Sequence, residues 1–360
     1  MSEQPVSPLA IYSARPTVRI DTQEEHRLSE LVIAMSMTEH IGGLSSLELR
    51  LSNVASDPEG GADLSFETSD TLRLGARIAI YTGDESSPQE IFQGIITGLE
   101  AEFGEESPPE LVVLAEDLLQ AARMARRTAI YDDPSLADLA TEIANRLGLT
   151  PVITGLTEKI GVQAQLDESD LAFLRRLLAR YDGDLQVVGQ ELHVSPRGDV
   201  QRGALTLELH SQLRKAKVLA DLAHQVTEVT VTGWDPLQGA RVSGSSSDGA
   251  LGPGRGSTGA QLLRDAIGER SHHLGRQAVA TDAEAQAVAA TDFAARARRF
   301  VTVEGMAEGN PALRVGAHVT LSGLGPRFDN TYYLTYACHR WDVARGYETD
   351  FEGESAYWGG

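Results

Sequence analysis

Gly254-Arg-Gly-Ser-Thr-Gly259 spells G-x-G-x-x-G, the spacing that lets a tight turn bring backbone N–H groups against a dinucleotide pyrophosphate. That chemistry needs a buried parallel strand just before the turn. The ten preceding residues are mostly Gly and Ser with an Asp and a Pro, so the expectation is a flexible loop and no bound cofactor. His272-His273 could supply metal ligands, but adjacent histidines on a helix point in different directions. No nearby cysteine or H-x-x-x-H spacing completes a set, and no metal is expected. The lone cysteine, Cys338, precedes His339 on an apparent strand, where neighbours face opposite ways, which argues against a thiol–imidazole dyad. No G-x-S-x-G elbow occurs. Carboxylates are plentiful, yet none sits in a motif, and the separation that would make two of them a glycosidase pair is a spatial quantity. Trp234-Asp-Pro236 closes a strand with a turn; core packing is the ordinary use of such a ring, and a partner-facing aromatic is the other. No residue is therefore nominated as catalytic, cofactor-binding or metal-ligating, and the chain is expected not to be an enzyme.

The elements that would position these residues belong to a chain of 360 residues, long enough for two or three compact units. The formal charge of −21 argues against a nucleic-acid-coating role, because phosphate binding needs a basic face. The acidity is uneven: residues 1–120 carry 22 acidic against 6 basic side chains. Such a surface keeps a protein soluble, and it would also suit a channel wall past which polyanions slide. One cysteine can form no internal disulfide, and its apolar neighbours suggest a small core residue. The N-terminus lacks a basic region followed by an apolar run, and no stretch approaches the ~18 apolar residues of a membrane span. Synthesis and folding in cytoplasm are expected.

Strands are read at Thr17–Ile20, Leu31–Thr38, Leu47–Leu51, Arg77–Tyr81, Ile91–Glu102 and Leu111–Leu114, punctuated by Gly42-Gly43, Gly60-Gly61 and Pro108-Pro109. Helical periodicity follows at Asp117–Ala125 and Ser135–Leu147, the second starting from Asp132-Asp133-Pro134-Ser135 and stopping at Gly148. In Ser169–Tyr181, Leu171, Leu174, Leu177 and Leu178 make an apolar stripe, and Asp182-Gly183 turns into a hairpin, Leu185–Val188 and Glu191–Val194. Strands return at Ala204–Leu209, Val226–Trp234 and Ala240–Ser243. A Gly/Ser run, Gly244–Thr258, reads as a mobile loop, with helical segments within 259–268 and 282–299. The last strands are near Phe300–Gly305, His318–Ser322, Tyr332–Trp341 and Tyr347–Phe351. The expected fold is α+β, mainly β: a small barrel or sandwich over 1–116, a small α/β domain over 117–200, and a second β-rich unit over 201–360 with an inserted loop and helices (244–299).

Leu72-Arg-Leu-Gly-Ala-Arg-Ile-Ala-Ile80 reappears as Leu313-Arg-Val-Gly-Ala-His-Val-Thr-Leu321, four of nine positions identical and three more conservatively apolar. A β-run follows each copy. A glycine turn entering an alternating strand is a common pattern; the other reading is duplication, two similar barrels in one chain.

The segment Gln165-Leu-Asp-Glu-Ser-Asp-Leu-Ala-Phe-Leu-Arg-Arg-Leu-Leu-Ala-Arg-Tyr-Asp-Gly183 resembles the strand-to-helix passage of the phage late control protein D family. Gly233-Trp-Asp-Pro236, Asn310-Pro-Ala-Leu-Arg-Val-Gly316, Leu324-Gly-Pro-Arg-Phe328 and Tyr332-Tyr333 also look like that family, so the resemblance spans most of the chain. It implies a structural baseplate hub of a contractile phage tail or phage-like injection system, similar to the hub part of type VI secretion spike proteins. By that resemblance the chain forms a homotrimer with two tube-protein-like β-barrels per copy, adapting a three-fold spike to a six-fold tail tube. The implied partners are a spike protein, the tail tube protein or a tube initiator, and other baseplate components, with DNA or cargo passing through without specific binding. The spike barrel, β-helix and lysozyme domains fused to some members have no counterpart here, which implies a separate spike protein. The contrasting expectations are a cell-wall-acting hydrolase of the tail, which zymography would reveal, and a soluble β-domain adhesin or effector.

Overall fold

The computed structural model describes residues 15–56, 62–66, 71–84, 87–105, 107–275 and 277–359. The turn expected at Gly60-Gly61 lies outside the described residues. As expected, the fold is α+β and mainly β, with antiparallel sheets dominating.

Twelve strands form two repeats of six. The first contains β1 (Thr17–Ile20), β2 (Val32–His40), β3 (Ser46–Ser52), β4 (Arg77–Asp84), β5 (Ser87–Glu102) and β6 (Glu110–Asp117). The second contains β7 (Ala204–Glu208), β8 (Leu213–Ala220), β9 (Val301–Glu308), β10 (His318–Ser322), β11 (Asn330–Asp342) and β12 (Gly346–Ser355). In space the first runs β1-β4-β5-β6-β3-β2 and the second β7-β10-β11-β12-β9-β8, the same order strand for strand. Only the outermost pairing differs: β1 lies antiparallel to β4, whereas β7 lies parallel to β10. Irregularities recur at matching places, between Val32 and Ala34 in β2 and between Leu213 and Lys215 in β8, and again at Ile96/Gly98 in β5 and Leu334/Tyr336 in β11.

Alternation explains why these strands form and which face they bury. In β3, Leu47, Leu49 and Leu51 enter the core while Ser46, Glu48 and Arg50 point away. Each sheet curls around its own apolar core, the second built on Val301, Val303, Val319, Leu334 and Phe351. The first core also takes in Trp341 and Tyr347 from the second repeat. The two curled sheets are continuous, because β11 pairs with β2 and makes one thirteen-stranded sheet with the short strand Gln23–Glu24.

The nine-residue echo falls on the same structural place in both repeats. Gly75 and Gly316 have φ of +83° and +87°, a left-handed conformation that glycine adopts without a Cβ penalty. Gly75 N–H donates to the Ile96 carbonyl and Ile96 N–H to the Ala76 carbonyl; Gly316 N–H donates to the Leu334 carbonyl and Leu334 N–H to the Ala317 carbonyl. The turn thus fixes the register of β4 on β5 and of β10 on β11 in the same way.

Between the repeats, the helices Leu136–Leu147 and Asp170–Arg180 pack on a small sheet of Thr150–Ile153, Gly183–Val188 and Glu191–Pro196. Ser135 and Asp138 form a capping box at the first helix, and Gly148 closes it at φ +70°. Leu171, Leu174, Leu177 and Leu178 are buried as their stripe requires. The helix expected over Asp117–Ala125 is shorter: β6 runs through Asp117, whose carboxylate accepts from Leu119 N–H, and only Ala121–Met124 is α-helical. Inserted into the second repeat, the strands Glu228–Asp235, Ala240–Ser246 and Ser271–Leu274 form a separate sheet covered by the helix Asp282–Arg298. Among the described residues, no helix is long and apolar enough to cross a membrane.

Candidate functional site at the junction of the two repeats

The residues singled out for chemistry lie apart from one another. The 244–258 segment, expected to be a mobile loop, is packed instead: Asn330 Oδ1 accepts from Arg255 N–H at 3.1 Å, and its Nδ2 donates to the Arg255 carbonyl at 2.9 Å. Ser257–Thr258 pairs with Tyr357–Trp358. A Cβ at Gly256 would sit 1.7 Å from the Gly359 carbonyl oxygen, so close backbone approach to the final strand uses this glycine. His272 and His273 are on a strand, not a helix, and alternate across it; the His273 ring meets the hydroxyls of Thr230 and Thr232 at 3.0 and 3.3 Å. Among the described residues, no group of three His, Cys, Asp or Glu could hold a metal ion. Trp234 is not core packing: it stands exposed at the tip of a hairpin beside the fully exposed Leu237.

Cys338 and His339 are buried at the junction, facing opposite sides of β11. The Cys338 sulfur lies 3.5 Å from the Ser36 hydroxyl and 3.7 Å from that of Thr38, on the face of β2 away from the core. His339 Nδ1 meets the Tyr347 hydroxyl at 2.7 Å on the core side. Burial first, and then the nearby Arg314 charge, push its pKa down to about 4, which keeps the ring neutral. Glu39, on β2, is fully buried beside it. Burial opposes the charge, yet the paired Arg314 guanidinium and the Val315 N–H, 3.2 Å away, hold this carboxyl below the usual range. Arg314 and Val315 belong to the echoed turn, so the turn of repeat two is bolted to β2 of repeat one by a charge-assisted bond. Seven residue pairs, Tyr336↔His40 through Asp342↔Ala34, carry the strand pairing beside it.

A second polar seam joins the α/β unit to repeat two. Arg298 forks onto Asp182 at 2.8 and 2.6 Å, Arg197 reaches Glu354 at 2.6 Å, and Arg202 pairs with Asp184. These carboxylates border a cleft of about 590 Å³ that also receives Arg175 and Arg299. Asp182 and Glu354 are both engaged by guanidinium groups, an arrangement that cements two units together.

Two strand edges have no counterpart to this junction. Beyond Ile96, β5 pairs only with β6, and residues 215–220 of β8 pair only with β9, among the described residues. The second half of β11, which matches that part of β5, is covered by β2, which matches β8. Sequence reading missed β8 altogether, because Leu213-Arg-Lys-Ala-Lys-Val-Leu-Ala220 is rich in helix-forming residues and poor in β-branched ones. Its alternation of basic and small apolar residues over 215–218 was the available signal.

The family whose description is "Alg8 N-terminal domain" matches residues 19–342, nearly the whole chain. The chain belongs to that family. Solved structures show which fold is shared. A prophage MuSo2 tail protein from Shewanella oneidensis superposes with a TM-score of 0.69 at 12% identity, over 94% of this chain and 97% of that one. The tail protein from Neisseria meningitidis MC58 gives 0.65 at 13%, over 96% and 99%. The E. coli c3393 protein, a component of the type VI secretion system with structural similarity to the T4 bacteriophage tail proteins gp27 and gp5, gives 0.57 at 12%, over 91% and 75%. No curated protein matches the sequence. This family member therefore has the fold of phage and prophage tail proteins.

Proposed function

We propose that this chain is the structural hub of a contractile phage tail or phage-like injection system, a non-enzymatic adaptor between a three-fold spike and a six-fold tube. The observation that carries the reading is the duplication: two six-stranded repeats in identical strand order, already joined side by side in one chain. Three copies present six such repeats, which is what matching three-fold to six-fold symmetry requires. The tail-protein fold supports the same reading. The work done is mechanical, and the buried ion pairs at both seams serve it by locking the units into one body. Partners under this proposal are the spike at one end, the first tube ring at the other and baseplate components at the periphery, where the exposed Trp234 and Leu237 offer an anchor.

Images of the assembled particle provide the test. Density for three copies on the tail axis, with six barrel-like lobes around a channel, is the expected result; a single copy, or a position off the axis, overturns it. On peptidoglycan zymograms the isolated chain should leave no cleared zone, and a cleared zone would return the hydrolase reading.

A further inference from the structure

The internal junction predicts the residues that join neighbouring copies. Matching the strand registers of the two repeats places Gly98 with Tyr336, Leu99 with Ala337, Ala101 with His339 and Phe103 with Trp341. The same matching places Met37 with Val218, Thr38 with Leu219 and Glu39 with Ala220. Positions that the junction buries in one repeat are bare in the other. Phe103 is 64% exposed where Trp341 is 4%, Leu99 is 38% where Ala337 is 0%, and Leu74 is 64% where Val315 is 1%. Leu219, on the free edge of β8, is 56% exposed. Apolar side chains gathered along an unpaired edge mark an interaction surface.

We infer that β8 of one copy adds to residues 98–104 of the next copy's β5, in the antiparallel register of the β11·β2 pairing. That register sets Leu99 opposite Ala220, Ala101 opposite Val218, Glu102 opposite Lys217 and Phe103 opposite Ala216. The occupant is a second copy of this chain because the two edges carry opposite charge. The β8 edge holds Arg214, Lys215 and Lys217, two of the three lysines in the whole sequence, and the β5 edge holds Glu100, Glu102 and Glu105. Lysines on an edge strand ordinarily block promiscuous pairing. Here they repel another β8 and accept β5, and the acidic β5 edge repels itself, so only the head-to-tail union remains, the kind that closes into rings. The count of three copies rests on the hub reading above; the register does not depend on it. With three copies, the eight strands from β8 to β5 in each chain become one closed wall of about 24 strands, more than the 16–18 that already leave an aqueous channel.

The test uses the purified full-length chain with Ala101→Cys and Val218→Cys, or with Glu100→Cys and Leu219→Cys, since adjacent pairs in an antiparallel ladder alternate between wide and narrow spacing. Under mild oxidation at least one of the two should give covalent trimers on a non-reducing gel, at ten-fold or greater yield than Ala101→Cys with Ala216→Cys, which is off register by two residues. Zero-length carbodiimide crosslinking of the unmodified chain, mixed from light and heavy isotope preparations, should link Lys217 to Glu102 between copies, and this readout stands even if a cysteine variant fails to fold. Trimers that crosslink only off register, or not at all, overturn this junction and leave the hub reading intact. A chain that stays monomeric at tens of micromolar overturns the junction, while three-fold density in the particle would still uphold the hub.

Discussion

Glu39 and Arg314 are a case in which a fully buried carboxylate meets a partly buried guanidinium at the place where two units of the fold join. Such a pair is costly to desolvate, and removing one partner is costlier still. Arg314→Met should therefore lower the stability of the chain by about 3–5 kcal/mol, read by urea unfolding, because it leaves the Glu39 carboxylate buried and unpaired. Adding Glu39→Gln to that variant should recover part of the loss; no recovery would mean the two side chains act independently. His339 makes the junction sensitive to acid. Its folded pKa, about 4, lies below the ordinary 6.5, so the unfolded chain binds the extra proton between those values. Stability from this group is complete above pH 6.5 and is lost as pH falls toward 4. Asp117, pushed up to about 6 by burial, acts with the opposite sign, its contribution being lost as pH rises from 3.8 to about 6. Comparing the chain with His339→Gln isolates the histidine: the variant should show a shallower fall in stability between pH 6.5 and 4.

The echoed turn shows how one element can serve two environments. At Gly75 a Cβ would meet nothing within 4 Å, whereas at Gly316 it would lie 2.6 Å from Arg202 Nη1 and 2.9 Å from Val200 Cγ1. Both positions have positive φ. Gly75→Ala should thus cost only the conformational penalty, about 1–2 kcal/mol, while Gly316→Ala adds a steric clash and should cost more. Equal losses in paired chemical-denaturation curves would contradict this assignment. Because the first turn stands bare and the second is packed, the difference between them measures what a neighbour contributes.

One face of the continuous sheet is apolar and fills the two cores; the other carries Glu48, Glu110, Glu304, Asp350 and Glu352, among others, by the alternation of the same strands. In the proposed ring this acidic face lines the channel, where it would keep DNA or acidic cargo from sticking. Changing Glu48, Glu304 and Glu352 together to Gln should slow ejection several-fold while particles still assemble with normal yield. Unchanged ejection kinetics would remove the charge from the mechanism.

Alternation of apolar residues was enough to place most of the strands, and the glycine turn at 72–80 and 313–321 disclosed the repeat, because period-two burial and positive φ are local demands that each residue type reports directly. The capped helix from Ser135 to Gly148 was legible for the same reason. The strand Leu213–Ala220 was not, since its charged edge faces away from any core and propensity alone favours a helix. Nor was the packing of 244–258, whose glycines are explained only by what lies beside them in space: Ala285 at Gly244, Ala294 at Gly249, Asn330 at Gly254 and Gly359 at Gly256. The candidate site was wholly a tertiary matter: Glu39 and Arg314 are 275 residues apart in the chain, and nothing near either of them signals the other. Sequence determined the fold class and the acidity and pointed to the duplication; the three-dimensional arrangement established the repeated strand order and decided which edges are filled and which stay open, because strand pairing between distant segments depends on register and shape that no local pattern encodes.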